Sequence, residues 1–473
     1  MIKSKTFCRV LVVVLLSIIA VMPAEAKKKT GEPKAPKYVF YMIGDGMGVN
    51  QVFGTQIYNA ATGAGPEVIN FSQFPMRGFI TTHSSSSLVT DSAAGGTALA
   101  TGQKTYNDGM GVAPDGETPL PNLTEWAHAA GFGAGVATSV GVNHATPAAF
   151  YAHAHSRSEY EKITEQLIAA ENVDFAAGAG FLNEARKTGH DSKYLEQKAV
   201  EAGIPVLHGK DQFKDLATLD SRVICLASDP TINALPYAID RKEGDTALCD
   251  FVQAGIDYLY GHFAKKGFFF MIEGGKIDYA GHSDDGVTEF LEINDFAAAV
   301  DLVLAFYEQH PDETLIVITA DHETGGLILG AGKYEVNAGI VSIQKQSEDA
   351  INAEFRALKS PSWNDVKAFF AEKLGLWTTI PVDPRQEEAF KEIYDRMSGG
   401  AGSEDVRTLY SSSSKLVSDA IDYIDKAAGY HYAHGSHSGS PVGLYVKGAV
   451  AASFAECHDN TDVPKMIRTV AGY

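Results

Sequence analysis

The sequence predicts an α/β protein built on a parallel β-sheet with helices on both faces. Two observations predict it. Short apolar runs alternate with longer helical patterns along most of the 473 residues, the rhythm of repeated βαβ units. The runs also end in polar or acidic residues, and in open parallel sheets ligands gather at the carboxyl ends of the strands.

Each element follows in order. Residues 38–43 (YVFYMI) are a buried strand running into Gly44-Asp45-Gly46. A helical pattern follows over 47–61. The stretch 90–98 (TDSAAGGTA) places Ser92 at the head of a run of small residues able to start a helix. A helical pattern over 122–130 leads to a strand at 134–139 and then to His144-Ala145-Thr146-Pro147. Helical patterns cover 158–170 and 245–261. The run 268–272 (FFFMI) leads to Glu273-Gly274-Gly275, and 286–309 is helical again. The strand 315–319 leads to Asp321-His322-Glu323, and 442–446 is the last strand. Residues 333–430 break this rhythm. They show helical patterns near 344–358, 362–374, 384–397 and 411–428, punctuated by Pro361, Pro381, Pro384 and glycines at 399–402. We read them as a helical insertion.

The chain begins with Lys3, Lys5 and Arg9, an apolar run over 10–20, and Ala24-Glu25-Ala26. A basic start, a short apolar core and an A-x-A site predict a secretory signal peptide over 1–26, cleaved after Ala26. The apolar run is too short to span a bilayer, so stable membrane insertion is not expected. Residues 27–36, rich in Lys, Pro and Gly, form a linker, which leaves 37–473 as the folded domain. The net charge of −20 disfavours nucleic-acid binding. Cys225, Cys249 and Cys457 remain after cleavage, and Cys225 and Cys249, nearest in sequence, could bridge. No C-x-x-C spacing points to a thiolate metal site.

Taken singly, the chemistry-bearing residues are weak signals. Ser92 can be a helix cap, and it can be a nucleophile toward phosphate, because a helix start offers free N–H donors to an anion. Asp278 and His282 are one helical turn apart and can share one ion, or form a surface pair. Asp321 and His322 reach one metal only if both lie past the strand end. His437 sits in a small-residue loop beside His434. Together they have a consistent chemistry. Histidine with carboxylate suits zinc, all-oxygen sites suit magnesium, and two zinc ions can clamp an in-line displacement. Arg157 is available for a two-pronged grip on phosphate oxygens.

The strings at 41–48 (YMIGDGMG), 90–102 (TDSAAGGTALATG), 144–153 (HATPAAFYAH), 272–282 (IEGGKIDYAGH), 319–325 (TADHETG) and 437–439 (HSG) resemble the alkaline phosphatase family, in that family's order. The resemblance runs from about Tyr38 to the C-terminus apart from the insertion. It implies a doubly wound three-layer α/β sandwich with a mostly parallel central sheet. It implies Ser92 as a nucleophile that becomes phosphoserine and Arg157 as the phosphate contact. Two Zn2+ and one Mg2+ per chain would be held by Asp278, His282 and His437, by Asp45, Asp321 and His322 with Ser92, and by Asp45, Thr146 and Glu273. Asp91 would orient Arg157. His144 stands where an Asp is common in the family and Tyr279 where a Lys is common, so both are possible members of the surrounding shell. The implied activity is hydrolysis of small phosphate monoesters by a homodimer, and the signal peptide predicts an exported protein, periplasmic with secretion as the alternative. A phosphodiesterase of the same superfamily and a non-catalytic metal- or phosphate-binding exported protein are the alternatives. A sulfatase would need C/S-x-P-x-R at its nucleophile, whereas Ala-Ala-Gly-Gly follows Ser92.

Overall fold

The computed structural model describes residues 34–332, 334–399 and 404–473. The expected signal peptide, residues 1–26, lies outside the described residues. Residues Lys34–Tyr473 form one compact unit. Its centre is a nine-stranded sheet. In chain order the strands are β1 (Tyr38–Gly44), β2 (Met76–Ile80), β3 (Gly133–Thr138), β4 (Phe175–Gly178), β5 (Val206–His208), β6 (Val223–Leu226), β7 (Phe268–Gly274), β8 (Thr314–Thr319) and β9 (Val442–Gly448). Across the sheet the order is β2-β9-β8-β1-β7-β3-β4-β6-β5. β9 runs against both of its neighbours, and every other pairing is parallel.

The central strands β1 and β7 are buried along their whole length, as expected for strands covered on both faces. Alternation sends successive side chains to opposite layers. On one face Phe40 and Phe268 meet Phe306 of helix Gly286–Gln309, and Phe270 meets Phe175 of β4, which packs on Tyr258 of helix Leu248–Phe263. Tyr41 and Phe269 meet Phe150 and Tyr473 on the other. The three-layer expectation therefore holds. β4, β5 and β6, four residues or fewer, extend the sheet beyond the runs legible in the sequence.

The insertion contains helices Glu348–Ala357, Trp363–Leu374, Pro384–Ser398 and Lys415–Ala428 around their own core of Ile351, Phe370, Phe390, Leu416 and Ile424. Two boundaries differ from expectation. Ser347 accepts a hydrogen bond from Ala350 N and starts the first of these helices there rather than at 344. Residues Ser412–Ser414 pair antiparallel with Asp405–Arg407, so the last helix begins at Lys415 rather than at 411. Cys225, Cys249 and Cys457 are all free, so the Cys225–Cys249 bridge is not formed. Among the described residues no helix is long and apolar enough to cross a membrane.

Candidate active site

The site lies past the carboxyl ends of β1, β3, β7 and β8, where parallel sheets collect their ligands. β1 delivers Asp45 through a sharp turn at Gly46, whose φ of +73° suits glycine. A Cβ on Gly46 would meet the Asp278 Cα at 2.9 Å. β7 ends in Glu273, and the short helix Lys276–His282 that follows puts Asp278 and His282 on one face. β8 stops at Thr319, so Asp321 and His322 are free of strand alternation and both point into the site. The two-residue pairing of Glu323–Thr324 with His437–Ser438 brings His437 in from the far end of the chain. Glu323 reinforces that pairing: it accepts from Gln51, from Gly326 N and from the Ser438 hydroxyl.

Ser92 is not the cap of its helix. Asp91 is the N-cap, accepting from Ala94 N at 3.0 Å, and Ser92 is the first residue of helix Ser92–Thr101. The helix is buried throughout. Its glycines explain how: a Cβ on Gly95 would lie 3.1 Å from Asp321, and one on Gly96 3.2 Å from the Thr146 backbone. The positive end of the helix therefore opens directly onto the site.

The hydrogen-bond pattern fixes what the histidines offer. His282 Nδ1 lies 3.0 Å from the Gly435 carbonyl and His437 Nδ1 2.9 Å from the Thr90 carbonyl, so each donates from Nδ1. Thr324 spends its only proton on Asp278 Oδ1, and its oxygen then accepts from His322 Nδ1 at 3.2 Å. In its neutral form each of the three imidazoles thus turns the Nε2 lone pair inward. His282 Nε2 and His437 Nε2 face each other at 3.1 Å, beside Asp278 at 3.4 and 3.5 Å. His322 Nε2 lies 3.2 Å from Ser92 Oγ and 3.4 Å from both Asp45 and Asp321. Asp45 Oδ1, Asp278 Oδ2, Asp321 Oδ2 and Glu273 Oε1 are buried without a hydrogen-bond partner.

Lone pairs and carboxylates crowded together without protons repel one another unless a cation lies among them. The donor sets fit divalent ions, with N/O ligands for zinc. Asp45, Asp321 and His322 offer ligand atoms within 4.8 Å of one another, as do Asp278, His322 and His437, and Asp45, His144 and Glu273. His282 belongs with Asp278 and His437 by the distances above, and His322 stands between the two centres, its ring stacked on His437 at 3.6 Å. Without a cation, burial and then the neighbouring carboxylates push Asp45 and Asp321 well above the usual carboxylate range. Burial and then His437 push His322 well down. A serine–histidine–acid triad does not describe this geometry. A triad places its acid on the ring nitrogen opposite the serine, whereas here both aspartates face the same Nε2 as Ser92 Oγ.

Thr146 Oγ1 lies 3.5 Å from Asp45 Oδ2, beside Glu273. The Thr138 hydroxyl, which sequence reasoning missed, donates to Glu273. Burial pushes the Glu273 carboxyl up to about 7. Arg157 is held on three sides: Asp91 Oδ2 at 3.4 Å from Nη1, and His144 Nε2 at 3.1 Å and the Tyr410 hydroxyl at 3.5 Å from Nη2. A guanidinium only donates, so His144 accepts there as a neutral imidazole. Burial, then the charge of Arg157, lowers its pKa to about 3. Tyr279 packs flat against Tyr410. His434 is exposed and belongs to none of these clusters. Thr324 lies inside a motif and could have been singled out as a short hydroxyl beside two ligand candidates. Tyr410 lies in the insertion, with no local pattern to mark it.

The alkaline phosphatase family profile matches residues 36–473. Over 454 residues the chain is 30% identical to alkaline phosphatase 4 of Bacillus subtilis, covering 94% of this chain and 90% of that one. It is 31% identical to alkaline phosphatase 3 of the same organism over 458 residues, covering 93% and 90%. The crystal structure of the cold-active alkaline phosphatase of the psychrophile Shewanella sp. is similar with a TM-score of 0.72 at 29% identity, covering 92% of this chain and 99% of that chain. This chain belongs to the alkaline phosphatase family. It is accordingly a phosphatase, a hydrolase of a metal-dependent family whose candidate ligands are gathered here.

Proposed function

We propose that this protein hydrolyses phosphate monoesters to an alcohol and inorganic phosphate through a covalent phosphoserine at Ser92. The observation that carries the proposal is the convergence of Ser92 Oγ, an unprotonated His322 Nε2 and two unpartnered aspartate oxygens at the start of a buried helix. Asp278, His282 and His437 would hold one zinc, Asp45, Asp321 and His322 with Ser92 a second, and Asp45, Thr146 and Glu273 a magnesium. Bound there, such ions supply positive charge that stabilises the oxyanions of the displacement and favours deprotonated oxygen nucleophiles. Ser92 Oγ attacks phosphorus as the bond to the leaving oxygen breaks, and a water then cleaves the serine ester. Arg157 presents two nitrogens to non-bridging phosphate oxygens, a geometry that favours a terminal phosphate over a diester. Asp91 and His144 hold its two arms apart and oriented. The N–H groups of the helix starting at Ser92 favour the same anion.

Ser92→Ala tests this reading. Turnover of a simple monoester should fall at least about a thousandfold, by analogy with other serine nucleophiles, with bound zinc and magnesium largely retained. Unchanged turnover would remove Ser92 as nucleophile. A diester hydrolysed faster than a monoester by the parent enzyme would favour the diesterase alternative. We further propose export through a signal peptide over 1–26, a periplasmic location and a homodimer. N-terminal sequencing of the mature protein, fractionation and sedimentation test these in turn.

A further inference from the structure

The insertion reaches the site through the turn that carries Tyr410. Its hairpin, Asp405–Arg407 paired with Ser412–Ser414, is anchored from behind by helix Glu348–Ala357. Asn352 Nδ2 and Arg356 Nη2 each donate to the Ser412 carbonyl at 3.2 Å, and Asn352 Oδ1 accepts from Ser414 N at 2.9 Å. At the turn, the Thr408 hydroxyl accepts from Tyr410 N and Ser411 N. Ser411 Oγ lies 3.4 Å from the hydroxyl of Ser283, next to His282. These contacts leave Tyr410 little freedom. Its ring lies on that of Tyr279 at 3.6 Å and 13° and meets His282 edge-on at 5.4 Å.

The hydroxyl of Tyr410 is 3.5 Å from Arg157 Nη2. Because a guanidinium cannot accept, the phenol oxygen is the acceptor in that contact and keeps its own proton. Among the described residues no acceptor for that proton is recorded. A preoriented O–H therefore stands beside the guanidinium, close to the donor end of the helix that starts at Ser92 and opens onto the same site. Position 279, on which it rests, carries an aromatic ring and no cation.

We infer that Tyr410 is a phosphate-binding residue: its hydroxyl donates a hydrogen bond to a non-bridging oxygen of the phosphate that Arg157 holds, and the Tyr279 stack keeps it aimed. This rests on the reading of Ser92 and Arg157 as the phosphate pocket. It gives the insertion a direct part in recognising the phosphate group. Rotamer entropy is already lost in the free protein, so the contact costs little ordering on binding.

The test compares Tyr410→Phe, Tyr410→Ala and Arg157→Ala with the parent holoenzyme. It reads KM and kcat for one aryl and one alkyl monoester, the inhibition constant of inorganic phosphate, and the melting temperature. Tyr410→Phe keeps the stack and removes only the donor. We expect it to raise KM for both esters and the phosphate inhibition constant together, by about three- to tenfold, with the melting temperature unchanged and KM carrying more of the loss than kcat. Tyr410→Ala should weaken phosphate at least as much. If Tyr410→Phe leaves KM and the phosphate constant at parent values, the ring only packs and the inference is overturned. If Arg157→Ala also leaves the phosphate constant unchanged, the pocket itself has been misread, and the fault lies with the underlying reading rather than with Tyr410.

Discussion

Replacing Thr324 by valine removes one oxygen from a side chain of almost unchanged shape. In the folded protein that oxygen has two partners on two of the proposed metal ligands: it donates to Asp278 and accepts from His322 Nδ1. The donation to a carboxylate is charge-assisted, worth about 1.5–3 kcal/mol net, and the contact with a neutral imidazole about 1 kcal/mol. Part of each survives as altered hydration or a shifted rotamer. A loss of about 1.4–2.8 kcal/mol in metal affinity is the reasonable outcome, which is ~10–100-fold. The mechanism is specific. Without the hydroxyl, no other acceptor among the described residues holds the proton of His322 on Nδ1, and the tautomer that faces Nε2 inward loses its anchor. Zinc competition against a chromophoric chelator measures the affinity. Thermal melting of the metal-free protein separates any folding defect, and Thr324→Ser should restore most of the affinity. Zinc affinity of Thr324→Val within about twofold of the parent, well below the outer-shell range, would refute the argument that this hydroxyl orients both groups.

Three further outcomes follow from other parts of the molecule. Chelation should abolish monoester hydrolysis, and zinc with magnesium should restore it. Full activity after metal removal verified by elemental analysis would contradict the metal reading. Arg157→Lys keeps a charge but loses the fork, so KM for a monoester should rise about tenfold or more, measured by steady-state kinetics. Glu348 is buried at the start of its helix with Oε1 unpartnered, and burial, then Asp285, pushes its carboxyl from 4.5 up to about 8. A raised acid pKa favours the neutral folded form, so this contribution is complete below pH 4.5 and is lost as pH rises toward 8. Glu348→Gln should therefore match the parent near pH 4 and exceed its stability at pH 9 by on the order of 3 kcal/mol, read from denaturant melts at both pH values.

Much of the architecture was legible because buried parallel strands are continuous apolar runs. The runs at 38–43 and 268–272 are central strands, and the residues just after them are the site's carboxylates. β4, β5 and β6 were not legible, because segments of three or four residues are too short to carry a distinctive period. The hairpin at 405–414 was hidden for another reason: its pairing depends on Asn352 and Arg356, some fifty residues earlier.

The sequence by itself determined the sheet's central strands, the motif residues and the donor types that suit zinc and magnesium. These are local properties: periodicity, glycine beside carboxylate, histidine beside aspartate. Only the tertiary structure decided which lone pair each histidine turns inward, because that depends on the carbonyls of Thr90 and Gly435 and the hydroxyl of Thr324. It also decided that Asp91, not Ser92, caps the helix, that His144 accepts from Arg157, and that Tyr410 comes from the insertion to stand over the same arginine. Hydrogen bonds between residues distant in sequence are set by where the packed layers bring backbone and side chains together, and no local pattern encodes that meeting.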